Sequence, residues 1–174
     1  HHPSMPFTQI DEFLRHLKAS PRANPLTKLA IEFGVLTVAR SGEVRGATWD
    51  EINGAEWHLP AERTKQGRPH TVYLSSRAVA ILEEAEQYRS GSLIFWSAGQ
   101  REMSDNTLNK SVKQHYVERF GDGLAKDAEI PTFHGFRATF KTWVEEGDIP
   151  FSDRVVEAMQ GHKVEVSKVR AAYN

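Results

Sequence analysis

His134 and Arg137, two residues that bind anions well, stand three positions apart in the stretch TFHGFRATFKTW, residues 132–143. The apolar spacing of this stretch predicts an amphipathic helix, with both side chains in its first turns and off its apolar stripe. A helix N-terminus already favours anions, because its free N–H groups and its dipole point at whatever lies there. A histidine and an arginine on that face indicate a site for a phosphate or a carboxylate.

Other residues of chemically useful type lie elsewhere in the chain: Arg40, Glu43, Lys65, His162 and Tyr173. Taken singly, each has an ordinary structural explanation. Arg40 can interact with the carbonyls at the end of an apolar helix, and Glu43 can be its ion-pair partner. Lys65 can be an ordinary hairpin lysine, His162 can complement a helix dipole, and Tyr173 can be a core aromatic. The residues therefore have to be weighed as a set.

The two arginines favour a phosphodiester as the ligand. A phosphodiester carries one negative charge, and its pentavalent transition state concentrates more charge on the non-bridging oxygens. Arg40 and Arg137 can hold those oxygens with forked, charge-assisted hydrogen bonds, a geometry that lysine does not reproduce. Placement beside helix termini would help to pre-organise both side chains. We therefore expect a phosphate to bind at the start of the helix that carries His134.

Composition limits the class of protein that could hold such a site. The 174 residues fit one domain, and 39% hydrophobic with 26% charged residues is typical of a globular chain. The net charge of −1 argues mildly against a strongly basic nucleic-acid binder, but leaves room for a local basic cleft. Without cysteine there is no disulfide and no thiol nucleophile. No apolar run approaches the roughly 20 residues of a membrane span, and the sequence shows no signal-peptide pattern.

Hydrophobic periodicity and capping signals predict a mainly helical α+β domain with one small antiparallel sheet. The sheet is expected between Trp49 and Leu74, where short β-rich pieces alternate with turn residues. The predicted helices are 7–18, 26–39, a short one capped by Ser41, one capped by Ser75, one capped by Asp105 and ended by Gly121, one capped by Thr132, one from Ser152 through Met159, and a terminal piece SKVRAAYN. The helix after Thr132 is expected to bury Phe133, Phe136, Phe140 and either Trp143 or Val144.

The ordered set resembles the tyrosine recombinases, the phage-integrase family, and especially the integrases of prophages and genomic islands. The matching stretches are ARSGEVRGATWDEI, AERTKQGRPHTVYLS, HGFRATFKTW and GHKVEVSKVRAAYN, within a resemblance that spans about Phe7 to Asn174. An isolated H-x-x-R is weak evidence, whereas all the elements in order are strong. The family commonly has TGLR where this chain has TVAR, and Ala39 is expected to alter local packing rather than chemistry.

The resemblance also implies how the chain is organised. The family's N-terminal DNA-binding regions are absent, and the sequence stops one residue after Tyr173. The expectation is a single compact catalytic domain over residues 1–174, truncated just after the nucleophile. As partners it implies double-stranded DNA attachment sites, with a tetramer on paired sites, a monomer for the isolated domain, and no membrane. It implies a bacterial, cytoplasmic, DNA-associated protein that integrates or excises a mobile element.

The same resemblance assigns a role to each candidate residue. Tyr173 would attack the phosphorus, giving a 3′-phosphotyrosyl link and a free 5′-hydroxyl, and this stored bond allows rejoining without cofactor or metal. Because a phenol of pKa about 10 must lose its proton, His134 is the candidate base. His162 would donate to a non-bridging oxygen, and Lys65 would protonate the departing 5′-oxygen. Glu43 would orient His134 or Arg40.

Three other functions remain open at this point. A type IB topoisomerase uses a similar residue set but relaxes DNA without pairing two sites. A non-catalytic DNA-binding module would bind DNA without forming any covalent link. A zinc hydrolase is a poorer alternative, because the sequence has no H-E-x-x-H or comparable ligand spacing.

Overall fold

The computed structural model describes residues 2–147 and 159–161, in which helices surround two small antiparallel sheets. The helices are α1 Ile10–Ala19, α2 Pro25–Thr37, α3 Ser41–Arg45, α4 Ser76–Glu86, α5 Asp105–Phe120 and α6 Gly135–Glu146. The strands are β1 Ile52–Asn53, β2 Glu56–Leu59, β3 His70–Tyr73, β4 Trp96–Ser97 and β5 Arg101–Glu102. The predicted α+β, mainly helical class is confirmed.

Helix α2 forms the centre of the core, because it is apolar on nearly every side. Asn24 caps it, accepting hydrogen bonds from the backbone amides of Leu26 at 2.9 Å and Thr27 at 3.3 Å. Phe33 of this helix packs against the rings of Trp57 and Phe95, with ring centroids 5.2 and 5.4 Å apart. All three rings are fully buried. The core therefore holds the end of α2, where the candidate site begins, in a fixed position.

The three-stranded sheet positions a long loop. Strands β2 and β3 pair antiparallel, and the register ends at the pair Leu59 and His70. The chain between those two residues leaves the sheet and returns to it, and this segment, residues 60–69, is called the lysine loop below because it carries Lys65. Since Leu59 is buried in the core, the base of the lysine loop is anchored to the domain.

Several helix starts differ from the prediction by one or two residues. Arg40 rather than Ser41 is the N-cap of α3, because the Glu43 side chain accepts the Arg40 amide. Ser104 rather than Asp105 precedes α5. Helix α6 begins at Gly135 rather than directly after Thr132, whose hydroxyl nevertheless accepts the Gly135 amide at 3.2 Å. Neighbouring polar residues compete for these positions, so spacing alone did not choose between them.

Other predicted boundaries gave mixed outcomes. Ser75 caps α4 and Gly121 ends α5, as predicted. In α6 the buried stripe contains Phe136, Thr139 and Val144, whereas Trp143 is 37% exposed. Helix α2 ends at Thr37, two residues before the predicted end. The helix predicted from Ser152 to Met159 lies almost entirely outside the described residues, as does the terminal SKVRAAYN piece.

Gly34 provides a test of the core beside the site. A Cβ at this position would lie 2.2 Å from Cζ of Phe133, a ring that is 2% exposed and directly precedes His134. We expect Gly34→Ala to lower the free energy of unfolding by about 1–3 kcal/mol, because overpacking forces the ring to move. Urea denaturation measures the effect. In the control Gly42→Ala the new Cβ meets nothing closer than 3.8 Å, and equal stability of the two variants would contradict the prediction.

Candidate active site

Arg40 is held in place by Glu43. The Glu43 carboxylate accepts the Arg40 amide at 2.9 Å and Nη1 of its guanidinium at 3.2 Å. Both side chains are largely buried, at 17% and 7% exposure. One carboxylate therefore caps α3 and orients the guanidinium that precedes it. Of the two partners considered for Glu43, these contacts favour Arg40.

The turn before Arg40 depends on a strained valine. Val38 ends α2 in the left-handed region at φ 56°, a conformation that β-branched residues rarely adopt and glycine adopts freely. The TVAR stretch therefore has a valine with a left-handed backbone where TGLR has a glycine, a feature that the sequence analysis did not single out. The altered packing expected at Ala39 stays a prediction. Val38 is also 4% exposed, so its side chain is packed while its backbone is strained.

Arg137 reaches the same turn from α6. Its Nη1 donates to the Val38 carbonyl at 2.5 Å and its Nη2 to the Gln160 carbonyl at 2.8 Å. Gln160 returns a hydrogen bond from Nε2 to the Arg137 carbonyl at 3.0 Å. A Cβ on the next residue, Gly161, would lie 3.8 Å from Nη1 of Arg40. Arg137, on α6, and Arg40, at the start of α3, therefore both lie beside residues 160–161.

A pocket of about 360 Å³ collects most of the residues that the sequence singled out. Its lining includes Arg40, Glu43, Lys65 and His134. The wall also contains Ser41, Gly42, Arg45, Arg63 and Asp105. His162 and Tyr173 lie outside the described residues, although Gly161, which directly precedes His162, lies beside Arg40. The pocket brings cations, an imidazole and two carboxylates to one surface.

The environment of His134 favours its neutral form. Burial lowers the pKa of the imidazole below its usual value, and electrostatic repulsion from His2, Arg137 and Arg40 lowers it further. Asp105 opposes this shift without cancelling it. A neutral imidazole has a free lone pair near pH 7, so His134 is able to accept a proton there.

Lys65 is presented at the tip of the lysine loop. The Thr64 side chain closes the loop, since its hydroxyl lies 2.7 Å from the Arg68 carbonyl and accepts the Arg68 amide at 3.1 Å. Gly67 completes the turn at φ 64°, a conformation that suits glycine. Lys65 itself is exposed to solvent where it lines the pocket. Its position is suited to contact with a bound ligand.

His70 is a site residue that sequence reasoning missed. It begins β3, hydrogen-bonds to the backbone of Met159, and lies within 3.7 Å of where a Gly161 Cβ would be. Burial lowers the pKa of His70, opposed chiefly by the nearby carboxylate of Glu43. The residue type was visible in the RPH triplet, but no local pattern connects it to residues so distant along the chain. Arg63 and Asp105 were overlooked for the same reason.

A larger groove of about 500 Å³ lies between α2 and α6, and its character is different. Its lining is apolar apart from Thr139 and contains no ionisable side chain. Of these two cavities, the smaller one carries the charged side chains that acid–base and phosphate-binding chemistry would need. Among the described residues, no group of three or more His, Asp or Glu side chains is placed to hold a metal ion. Within the same residues, no helix has the length and apolar character of a membrane span.

Comparison with known proteins gives one consistent family. Residues 3–174 match the phage integrase family. The chain is 34% identical to prophage integrase IntA of Escherichia coli strain K12, covering 98% of this chain and 40% of that protein. It is 29% identical to the integrase of Enterobacteria phage P4, covering 99% of this chain and 41% of the relative. The chain thus spans about two fifths of the length of these relatives.

Solved structures share the fold. A lambda integrase (residues 75–356) dimer bound to a COC′ core site superposes with a TM-score of 0.68 at 20% identity, covering 96% of this chain and 58% of that one. XerH recombinase bound to its difH substrate superposes with a TM-score of 0.72 at 16% identity, covering 98% and 53%. At such identities the likeness establishes the arrangement of helices and strands, and no more.

Proposed function

This chain belongs to the phage integrase family, and we propose that it is the catalytic part of a site-specific DNA recombinase. In this proposal it cleaves and rejoins DNA through a 3′-phosphotyrosyl intermediate, for integration or excision of a mobile element. The observation that carries the proposal is that Arg40, Lys65 and His134 line one pocket, while Arg137 binds the Val38 carbonyl in the turn before Arg40. That set matches the charge and proton demands of phosphodiester cleavage.

The proposed reaction accounts for each proton that is transferred and for each bond that forms or breaks. The phenol oxygen of Tyr173 attacks phosphorus as its proton passes to neutral His134, and the bond from phosphorus to the 5′-oxygen breaks. Lys65 gives a proton to that oxygen, while Arg40 and Arg137 stabilise the charge on the non-bridging oxygens. His162 adds a further hydrogen bond to one of them. Attack by a 5′-hydroxyl on the phosphotyrosine reverses these steps, so rejoining needs no other energy source.

The proposed partner is double-stranded DNA at attachment sites. Solved structures with this fold include a lambda integrase tetramer bound to a Holliday junction and XerH bound to its difH substrate. By analogy, we propose that four protomers assemble on paired sites and that the domain alone is monomeric. The family relationship supports a DNA-associated protein acting in the bacterial cytoplasm.

Covalent trapping tests this proposal. The protein is incubated with attachment-site DNA carrying a nick beside the cleavage position, so that the released fragment diffuses away and rejoining stops. We expect a protein–DNA adduct that survives denaturation. Binding without an adduct would favour a non-catalytic DNA-binding module. An adduct formed by a protein that relaxes DNA without assembling four protomers would favour a type IB topoisomerase.

Lys65 has a test that separates proton donation from binding. We expect Lys65→Ala to slow cleavage of normal DNA by roughly 10²-fold, the usual contribution of a general acid. A sulfur atom in place of the 5′-bridging oxygen makes a leaving group that needs no proton, so the variant should recover on that substrate. Arg68→Ala, which removes a cation from the same loop, serves as the control and should show no such recovery. Equal behaviour of the two variants on both substrates would exclude Lys65 as the acid.

A further inference from the structure

Arg63 joins three separate elements of the domain. It ends the short 3₁₀ turn Ala61–Arg63 at the start of the lysine loop, two residues before Lys65. Its Nε and Nη2 donate to the two carboxylate oxygens of Glu51 at 2.6 and 3.0 Å. The same guanidinium donates through Nη2 to the Glu43 carbonyl at 2.9 Å and through Nη1 to the Gly42 carbonyl at 3.4 Å. One side chain therefore connects the lysine loop to α3.

The anchor of this side chain is itself fixed. Glu51 is 8% exposed, and its carboxylate also accepts the Thr48 amide at 3.1 Å and Nε1 of buried Trp57 at 3.3 Å. A carboxylate held from several directions cannot follow Arg63 if that residue moves. The ion pair therefore fixes the lysine loop relative to the core. An exposed ion pair between two flexible side chains would not do so.

The surrounding backbone leaves room for this guanidinium. Gly46 ends α3, and a Cβ at that position would lie 2.3 Å from Nη1 of Arg63. The glycine has φ −92°, so its backbone conformation is open to other residues. The absence of a side chain there matters because Arg63 occupies the space. Gly46→Ala can therefore displace Arg63 without altering it.

We propose that Arg63 is a positioning residue that holds the lysine loop against α3, so that Lys65 and Arg40 face the same scissile phosphate. The proposal rests on the proposed function of the pocket. Glu43 is the link between the two sides, because its carbonyl accepts Arg63 while its carboxylate orients Arg40. Loss of Arg63 releases the loop and removes a constraint on the helix that presents the phosphate clamp. Only the fork of an arginine can bind the Glu51 carboxylate and the α3 carbonyls together.

The experiment compares Arg63→Gln and Gly46→Ala with a matched control, Arg77→Gln. Arg77 also binds a buried carboxylate with its fork, that of Glu32, but it lies on α4 and does not line the pocket. The first measurement is amide hydrogen exchange without DNA over residues 41–46 and 60–69. The second is the rate of adduct formation on saturating nicked attachment-site DNA, together with the Kd for that DNA.

We expect exchange over both segments to rise about 10-fold in Arg63→Gln and Gly46→Ala, and to stay unchanged in Arg77→Gln. Misplacement of catalytic groups by about 1 Å can cost 10²-fold, so the adduct rate should fall by about 10-fold or more while Kd changes by less than about 2-fold. Thermal unfolding of all three variants reports global stability. Arg77→Gln should keep its cleavage rate even where it loses as much stability as Arg63→Gln.

Three results would overturn the proposal. Unchanged exchange in Arg63→Gln would mean that α3 and the lysine loop do not depend on this side chain. A cleavage loss in Arg77→Gln equal to that in Arg63→Gln would reduce the effect to global stability. Absence of any wild-type adduct would remove the proposed function and with it the catalytic part of this proposal. The exchange data would still decide whether Arg63 joins the two segments, so the two failures are distinguishable.

Discussion

Replacing the hydroxyl of Tyr173 by hydrogen, in Tyr173→Phe, is expected to abolish covalent attachment to DNA while DNA binding persists. Phenylalanine keeps the ring but has no oxygen to attack phosphorus, so the adduct yield should drop by more than about 10³-fold. Trapping on nicked attachment-site DNA measures the yield, and a mobility-shift titration measures binding. The Kd should stay within about 2-fold of the wild-type value, since one hydroxyl contributes little to a phosphate-dominated interface.

Tyr88→Phe is the matched control for this variant. Tyr88 is 42% exposed and does not line the charged pocket, so its hydroxyl should not affect adduct formation. An adduct of normal yield in Tyr173→Phe would remove Tyr173 as the nucleophile. Loss of the adduct in both variants would indicate a general effect on the protein rather than on one hydroxyl. Because Tyr173 lies outside the described residues, this prediction depends on sequence alone.

The second large effect is expected from the arginine pair. Arg40→Lys and Arg137→Lys keep the charge but lose the fork, so each should slow cleavage by roughly 10²-fold or more. The structure adds a second reason for Arg137, because its guanidinium is oriented by two hydrogen bonds that one ammonium cannot reproduce together. Arg137 spans the carbonyls of Val38 and Gln160, which belong to different segments of the chain. Single-turnover cleavage on saturating DNA separates this loss from weaker binding.

Arg89→Lys is the control for both lysine variants. Arg89 pairs with Glu86 at 3.1 Å and lies over the Trp49 ring, and it does not line the charged pocket. Its replacement should leave the cleavage rate within about 2-fold of wild type, as is usual for an exposed ion pair. If the Arg40 and Arg137 variants cleaved as fast as this control, phosphate clamping would be the wrong role for them.

Most of the secondary structure was predictable because its signals are local. Apolar spacing identified α1, α2 and α5, and the β-rich pieces identified the three-stranded sheet. The misassigned caps at Arg40 and Ser104 stand beside other polar residues that could serve as well. Spacing does not report which side chain turns toward the free amides, so these boundaries depended on atomic contacts.

The same distinction between local sequence signals and features that depend on the three-dimensional structure applies to the candidate site. Arg40 and Glu43 are three residues apart, a spacing that a helix start brings together, and their pairing was one of the two that the sequence left open for Glu43. The order of candidate residues along the chain was enough to indicate the family. The consequence of Val38 was missed, because a residue letter does not state its φ angle, and the local comparison drew attention to Ala39 instead.

The sequence by itself determined the fold class, the residue types available for phosphodiester chemistry, and the family. Only the tertiary structure decided which distant residues meet: Arg137 with Val38, Arg63 with Glu51 and α3, and His70 with Met159 and Gly161. The physical reason is that helix and turn signals arise from neighbours within a few residues. Contacts between distant segments arise from how the core packs, and α2 with its buried Phe33 sets the distances between the elements around it.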